Sequence, residues 1–205
     1  MKLIGMIDSP YVRRVAISLN MLGLTFEHAP LSVFSGFDAI KTINPVVKVP
    51  TLVTDDAVLM DSSLILDYAE RLASPEHTLM PTDLKTYAQA QRVIGIALAA
   101  CEKAVQAVYE LNLRPAEKQY QPWLDRVYVQ LASALQLLEQ EVQGTNSWLF
   151  GDKMLQADIT SAVVFRFACG KVPDHIRAND YPALAAFSAR AEATDAFLAY
   201  PYPAG

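Results

Sequence analysis

The sequence predicts a small α/β domain followed by an all-helical domain. Three observations carry this prediction. Short apolar, strand-like runs alternate with helical periodicity up to residue 72. A polar stretch with two prolines, ASPEHTLMP, then interrupts the pattern at 73–81, and from Thr82 on only helical spacing recurs. The chain has 205 residues, 52% of them hydrophobic, so it can bury a proper core, and its length permits one or two domains. A long helix pair does not fit the core of so small a sheet, so two domains are expected: 1–78, a linker at 79–83, and 84–205.

The elements follow in order. Residues 3–7 (LIGMI) are an apolar run suited to a buried strand, closed by Asp8-Ser9-Pro10. Ser9 and Pro10 read as the cap and first position of a helix: the hydroxyl accepts an orphan amide, and proline has no amide to lose there. Val12, Val15, Ala16, Leu19 and Leu22 recur at helical spacing, and Gly23 stops the helix. A strand is expected around 25–30 and a short helix near 37–43, which Asn44-Pro45 breaks. Residues 49–53 read as a strand, Asp55-Asp56 as a turn, and 58–60 as an antiparallel return. A third helix opens at Asp61-Ser62-Ser63, with Leu64, Ile65, Tyr68, Ala69 and Leu72 inward. The helical half is expected to run as 83–113, 115–143, 155–170 and 181–194, with a break at Gly144-Thr145-Asn146. The last six residues, YPYPAG, are expected to be surface coil.

Charge and composition exclude several function classes. A net charge of −5 with scattered Lys and Arg gives no electrostatic reason to bind nucleic acid or anionic lipid. No uncharged run approaches the roughly 18 residues of a membrane span. The first eight residues are too short for the apolar core of a signal peptide. Cys101 and Cys169 are too few for a disulfide framework and sit in apolar helical stretches, as inert thiols do. His28, His77 and His175 have no metal-ligand spacing, so no metal is expected. Glu139 and Glu141 look like ordinary exposed helix charge. A cytoplasmic, reducing setting is expected.

Three short stretches stand out in the first half: SPYVRR at 9–14, KVP at 48–50 and DS at 61–62. Each alone has a plain structural reading. Ser9-Pro10 can be only a cap, and Pro50 an ordinary trans proline at a strand's first residue. Asp61-Ser62 can be only an N-cap pair. In this order and spacing, however, they resemble the N-terminal domain of cytosolic glutathione S-transferases, of the bacterial serine type. LMP at 79–81 and AD at 157–158 extend the resemblance into the helical half.

The resemblance implies a thioredoxin-like N-terminal domain, an all-α C-terminal bundle, a homodimer, and glutathione as cosubstrate without a metal. Ser9 then stands where the family carries its catalytic residue. A free thiol has a pKa near 8.5 and is mostly protonated at neutral pH. A hydroxyl donating to the sulfur at a helix N-terminus, where negative charge is favoured, lowers that value. A serine there argues for thiolate stabilisation over mixed-disulfide chemistry. The same resemblance implies a cis Val49-Pro50 bond whose Val49 backbone pairs with the cysteinyl unit of glutathione. It puts the γ-glutamyl carboxylate on Ser62 and the helix amides, and the ammonium on Asp61, where many members carry Glu. Lys48 can meet the glycyl carboxylate or stand solvated. Phe34 and Tyr11 can line the pocket, with Tyr11 facing the electrophile and Tyr109 a candidate for the same substrate; core packing explains these aromatics equally well.

One departure is visible. The family usually has Ser or Thr three residues before the acid matching Asp158, whereas this chain has Leu155, so a side-chain cap is missing there. The expected activity is attack of the glutathione thiolate on a small electrophile, as in detoxifying conjugation. The rivals are a stringent-starvation-type regulator of the same fold that contacts RNA polymerase, and a glutathione-dependent isomerase, dehalogenase or peroxidase.

Overall fold

A computed structural model describes residues 1–203, and the last two residues of the expected tail lie outside it. The chain divides into two compact units: Met1–Met80 together with the segment that begins at Thr194, and Pro81–Ala193.

The first unit holds strands β1 (Lys2–Ile4), β2 (Glu27–Ala29), β3 (Thr51–Val53) and β4 (Val58–Met60). Its helices are α1 (Pro10–Met21), α2 (Phe37–Ile43) and α3 (Ser62–Leu72). The strands form one sheet in the order β2-β1-β3-β4, with β1 parallel to β2 and the other pairings antiparallel. This is the thioredoxin-like arrangement. Leu3, Ile4 and Leu52 of the sheet are wholly buried, as are Val12, Val15, Ala16 and Leu19 of α1 and Ile65 and Ala69 of α3.

Two strands are shorter than their apolar runs. β1 ends at Ile4 because Gly5 turns the chain at φ +135°. A Cβ there would sit 2.5 Å from Val12 Cγ2 and 3.0 Å from Val49 Cβ, so only glycine lets these segments approach so closely. β3 begins at Thr51, after the Val49-Pro50 bond, which is cis. Proline has no amide for the ladder.

The segment from Thr194 was expected to belong to the helical domain. It packs on the first unit instead, through a short helix at Asp195–Leu198 and through Tyr200. Arg13, wholly buried, explains the difference. Its Nε donates to the Tyr200 carbonyl at 2.9 Å, and its guanidinium lies over the rings of Phe197 (5.3 Å) and Tyr202 (5.7 Å). Tyr200 also stacks on Phe26. A buried guanidinium between aromatic faces gains both packing and cation–π attraction.

The second unit is helical: α4 (Leu84–Leu113), α5 (Gln121–Val142), α6 (Gln156–Lys171) and α7 (Pro182–Glu192). α5 starts later than expected because Pro122 fits only a helix's first turn, and a short 3-10 turn at Ala116–Lys118 precedes it. α6 is buried on nearly every side and is the centre of the unit. α4 presents Ala97, Ala100, Ala104 and Ala107 inward, small residues that allow close helix approach. Glu139, expected to be exposed, is buried: its carboxylate accepts the amides of Ala183 (2.9 Å) and Leu184 (2.6 Å) and so caps α7.

The missing hydroxyl cap before α6 is replaced from the other side. Asp158, wholly buried, accepts the amide of Leu155 at 2.7 Å and that of Leu149 at 2.8 Å. Burial pushes its carboxyl up to about 6, against the pull of these amides and of Arg190. Burial likewise pushes the Cys169 thiol up to about 11, which keeps it protonated at neutral pH, as an inert thiol should be. Among the described residues no helix is long and apolar enough to cross a membrane, and no group of three His, Cys, Asp or Glu is placed to hold a metal.

Candidate functional site

The register of the sheet gathers the three sequence motifs. Ile4 pairs with Thr51, and Thr51 pairs with Met60. The chain therefore leaves β1 toward Ser9, enters β3 from Val49-Pro50, and leaves β4 toward Asp61-Ser62, all at one end of the sheet. Motifs separated by tens of residues in sequence become neighbours through three strand partners.

Ser9 caps α1 in extended conformation. Its Oγ accepts the Val12 amide at 3.4 Å, a long bond, and its carbonyl accepts from Arg13 at 2.9 Å. A serine hydroxyl has one proton and two lone pairs, so accepting at the cap leaves the proton available to an acceptor outside the helix. Pro10 follows, buried, at the first helical turn.

The segment before the cis bond is locked by two residues that sequence reading treated as a helix breaker and a strand residue. Asn44, buried, donates from Nδ2 to Thr51 Oγ1 at 2.9 Å and accepts the Val46 amide at 3.1 Å. Thr51 Oγ1 in turn donates to the Lys48 carbonyl at 2.6 Å. Val47 sits at φ +53°, unfavourable for a β-branched residue, and its amide is tied to the Asn44 carbonyl at 2.8 Å. These bonds fix the backbone that carries Lys48 and Val49.

Asp61 caps α3 from a left-handed conformation, φ +76°, with Oδ1 accepting the Ser63 amide at 2.9 Å. Such a backbone is costly for a non-glycine residue and is held here by the cap and the strand before it. Asp61 Oδ2 also lies 3.7 Å from Lys48 Nζ. Both side chains are about half exposed, so this pair contributes little to stability. It does bring two expected site residues into contact. Ser62 is buried, and Arg14, also buried, donates from Nη1 to Ser62 Oγ at 3.0 Å and to Ser63 Oγ at 3.3 Å. Arg14 therefore joins the helix that begins at Ser9 to the helix that begins at Ser62. Sequence reading missed it, because its partner Ser62 lies 48 residues away.

Phe34 is exposed, in a turn where Ser32 Oγ accepts its amide at 3.1 Å. Tyr11 is half-buried on α1. Tyr109 is exposed on α4, in the second unit.

Comparison with known proteins identifies the family. Residues 3–77 match the family described as Glutathione S-transferase, N-terminal domain. A zeta-class glutathione S-transferase from Euphorbia esula is 31% identical over 71% of this chain and 66% of its own length. Glutathione S-transferase Z1 from Arabidopsis thaliana is 30% identical over 192 residues, which cover 90% of this chain and 84% of that protein. The chain belongs to the glutathione S-transferase family. A crystal structure of a glutathione S-transferase from Methylobacterium radiotolerans, in complex with glutathione sulfonate, matches it with a TM-score of 0.90. The match is at 27% identity and covers 100% of this chain and 96% of that one. The glutathione S-transferase fold thus extends over both units.

Proposed function

We propose that this member of the family binds glutathione at the end of the sheet where its three motifs meet, and activates the thiol through Ser9. The observation that carries the reading is the register Ile4–Thr51–Met60, because it gives one ligand access to all three motifs. The bound glutathione sulfonate of the Methylobacterium radiotolerans relative adds support. In this reading the Val49 backbone pairs with the cysteinyl unit. Ser62 and the first amides of α3 hold the γ-glutamyl carboxylate, and Asp61 takes the ammonium. Lys48 meets the glycyl carboxylate, which requires it to leave Asp61, and Phe34 covers the tripeptide.

The Ser9 proton then donates to the cysteinyl sulfur, and the positive end of α1 adds to its effect. The thiol gives its proton to water before the attack. The thiolate forms a bond to the electrophilic carbon as the bond to the leaving group breaks, and the electron pair departs with that group. Tyr11 is our candidate for a contact to the electrophile from the first unit, and Tyr109 holds the same role by resemblance alone. The cytoplasmic setting and the homodimer belong to the same reading; light scattering giving a single-chain mass would remove the dimer from it.

Calorimetric titration with reduced glutathione tests the proposal. Saturable one-site binding is expected at millimolar ligand or below. Absence of heat at millimolar glutathione, in folded protein, favours a regulator that keeps the fold without the ligand.

A further inference from the structure

We propose that Arg14 is a positioning residue that turns Ser62 into an obligate donor toward the ligand carboxylate, an inference that rests on the glutathione reading above. A guanidinium only donates, whereas a serine hydroxyl donates once and accepts twice. One Arg14 nitrogen, Nη1, carries two hydrogens and reaches both Ser62 Oγ (3.0 Å) and Ser63 Oγ (3.3 Å). Because the guanidinium accepts nothing, each hydroxyl accepts from Arg14 and keeps its own proton for another acceptor. Ser62 is buried and already accepts from Arg14, so what its oxygen offers a carboxylate arriving at the start of α3 is its own proton.

Two features of the fold make this device stiff. Arg14 is itself buried on α1, within a helix whose neighbours Val12, Val15 and Ala16 are wholly buried, so its guanidinium is held by packing as well as by hydrogen bonds. Ser62 is the first residue of α3, directly after the left-handed Asp61, so its backbone is equally restricted. Preorganised donors bind an anion without the cost of ordering them at the moment of binding. The arrangement also links the helix that begins at the thiol site to the helix that would hold the other end of the ligand.

The test compares two ligands on three proteins. The ligands are reduced glutathione and the analogue lacking the γ-glutamyl α-carboxylate, with binding measured by calorimetry or by displacement. The proteins are wild type, Arg14→Met and Arg14→Gln. Arg14→Met is expected to weaken glutathione roughly ten- to hundredfold, the scale of a lost charge-assisted donor, and to leave the analogue within about threefold of wild type. Arg14→Gln keeps an amide with two hydrogens, is uncharged and shorter, and is expected to lose at least about fivefold on glutathione alone. If the Met chain does not fold, the Gln chain decides. Equal losses on both ligands would assign Arg14 a purely structural role, and unchanged glutathione affinity in a folded variant would likewise overturn the proposal. Failure of wild type to bind glutathione at all is a separate result, which removes the functional reading itself.

Discussion

Replacing Ser9 by Ala is expected to slow conjugation roughly ten- to hundredfold at neutral pH, the scale of one charge-assisted hydrogen bond lost from a thiolate. The loss should shrink as pH rises, because the thiol then ionises without help. The amides and dipole at the start of α1 remain in the variant, so residual activity is expected. Ser9 also accepts the Val12 amide, at 3.4 Å, so some stability is lost with the cap. Rates must therefore be read well below the unfolding transition, with initial velocities followed across pH for both proteins. A folded variant with an unchanged rate and pH profile would reduce Ser9 to a cap.

Replacing Asp158 by Ala is expected to destabilise the chain by about 2–3 kcal/mol near neutral pH, because the amides of Leu149 and Leu155 lose their acceptor. The effect should depend on pH with a definite sign. The folded carboxyl titrates at about 6, above its ordinary 3.8, so the fold favours the protonated form. That contribution to stability is fully present below about pH 4 and is lost as pH rises through about 6. Wild type therefore gains on the variant as pH falls from 7 to 5, and the deficit of Asp158→Ala widens. Urea unfolding at the two pH values measures this. An equal deficit at both, or none, would contradict it.

The order of elements and the three motifs were legible in the sequence because each rests on local chemistry: apolar spacing, a capping hydroxyl, a proline in an apolar run. What brings the motifs together was not legible, because strand register is a nonlocal choice. The pairing of Ile4 with Thr51 joins residues that share no local pattern. Arg13 and Arg14 show the same limit. On a helical wheel they are polar residues beside an apolar stripe, yet both are buried, because their partners Tyr200 and Ser62 arrive from remote parts of the chain. Glu139 was read as surface charge for the same reason, since the amides it caps lie 44 and 45 residues away. Element ends moved where one residue overruled a periodic run: Gly5 and Pro50 shortened strands, and Pro122 delayed a helix.

The role proposed for Ser9 is to hold bound glutathione as a thiolate. Ultraviolet titration of the thiolate in the binary complex tests it most directly, with Ser9→Ala beside wild type. Bound glutathione is expected to ionise well below the ordinary thiol value of about 8.5 in wild type, and closer to it in the variant. Ionisation of the bound thiol at its ordinary value in the wild-type complex would contradict it.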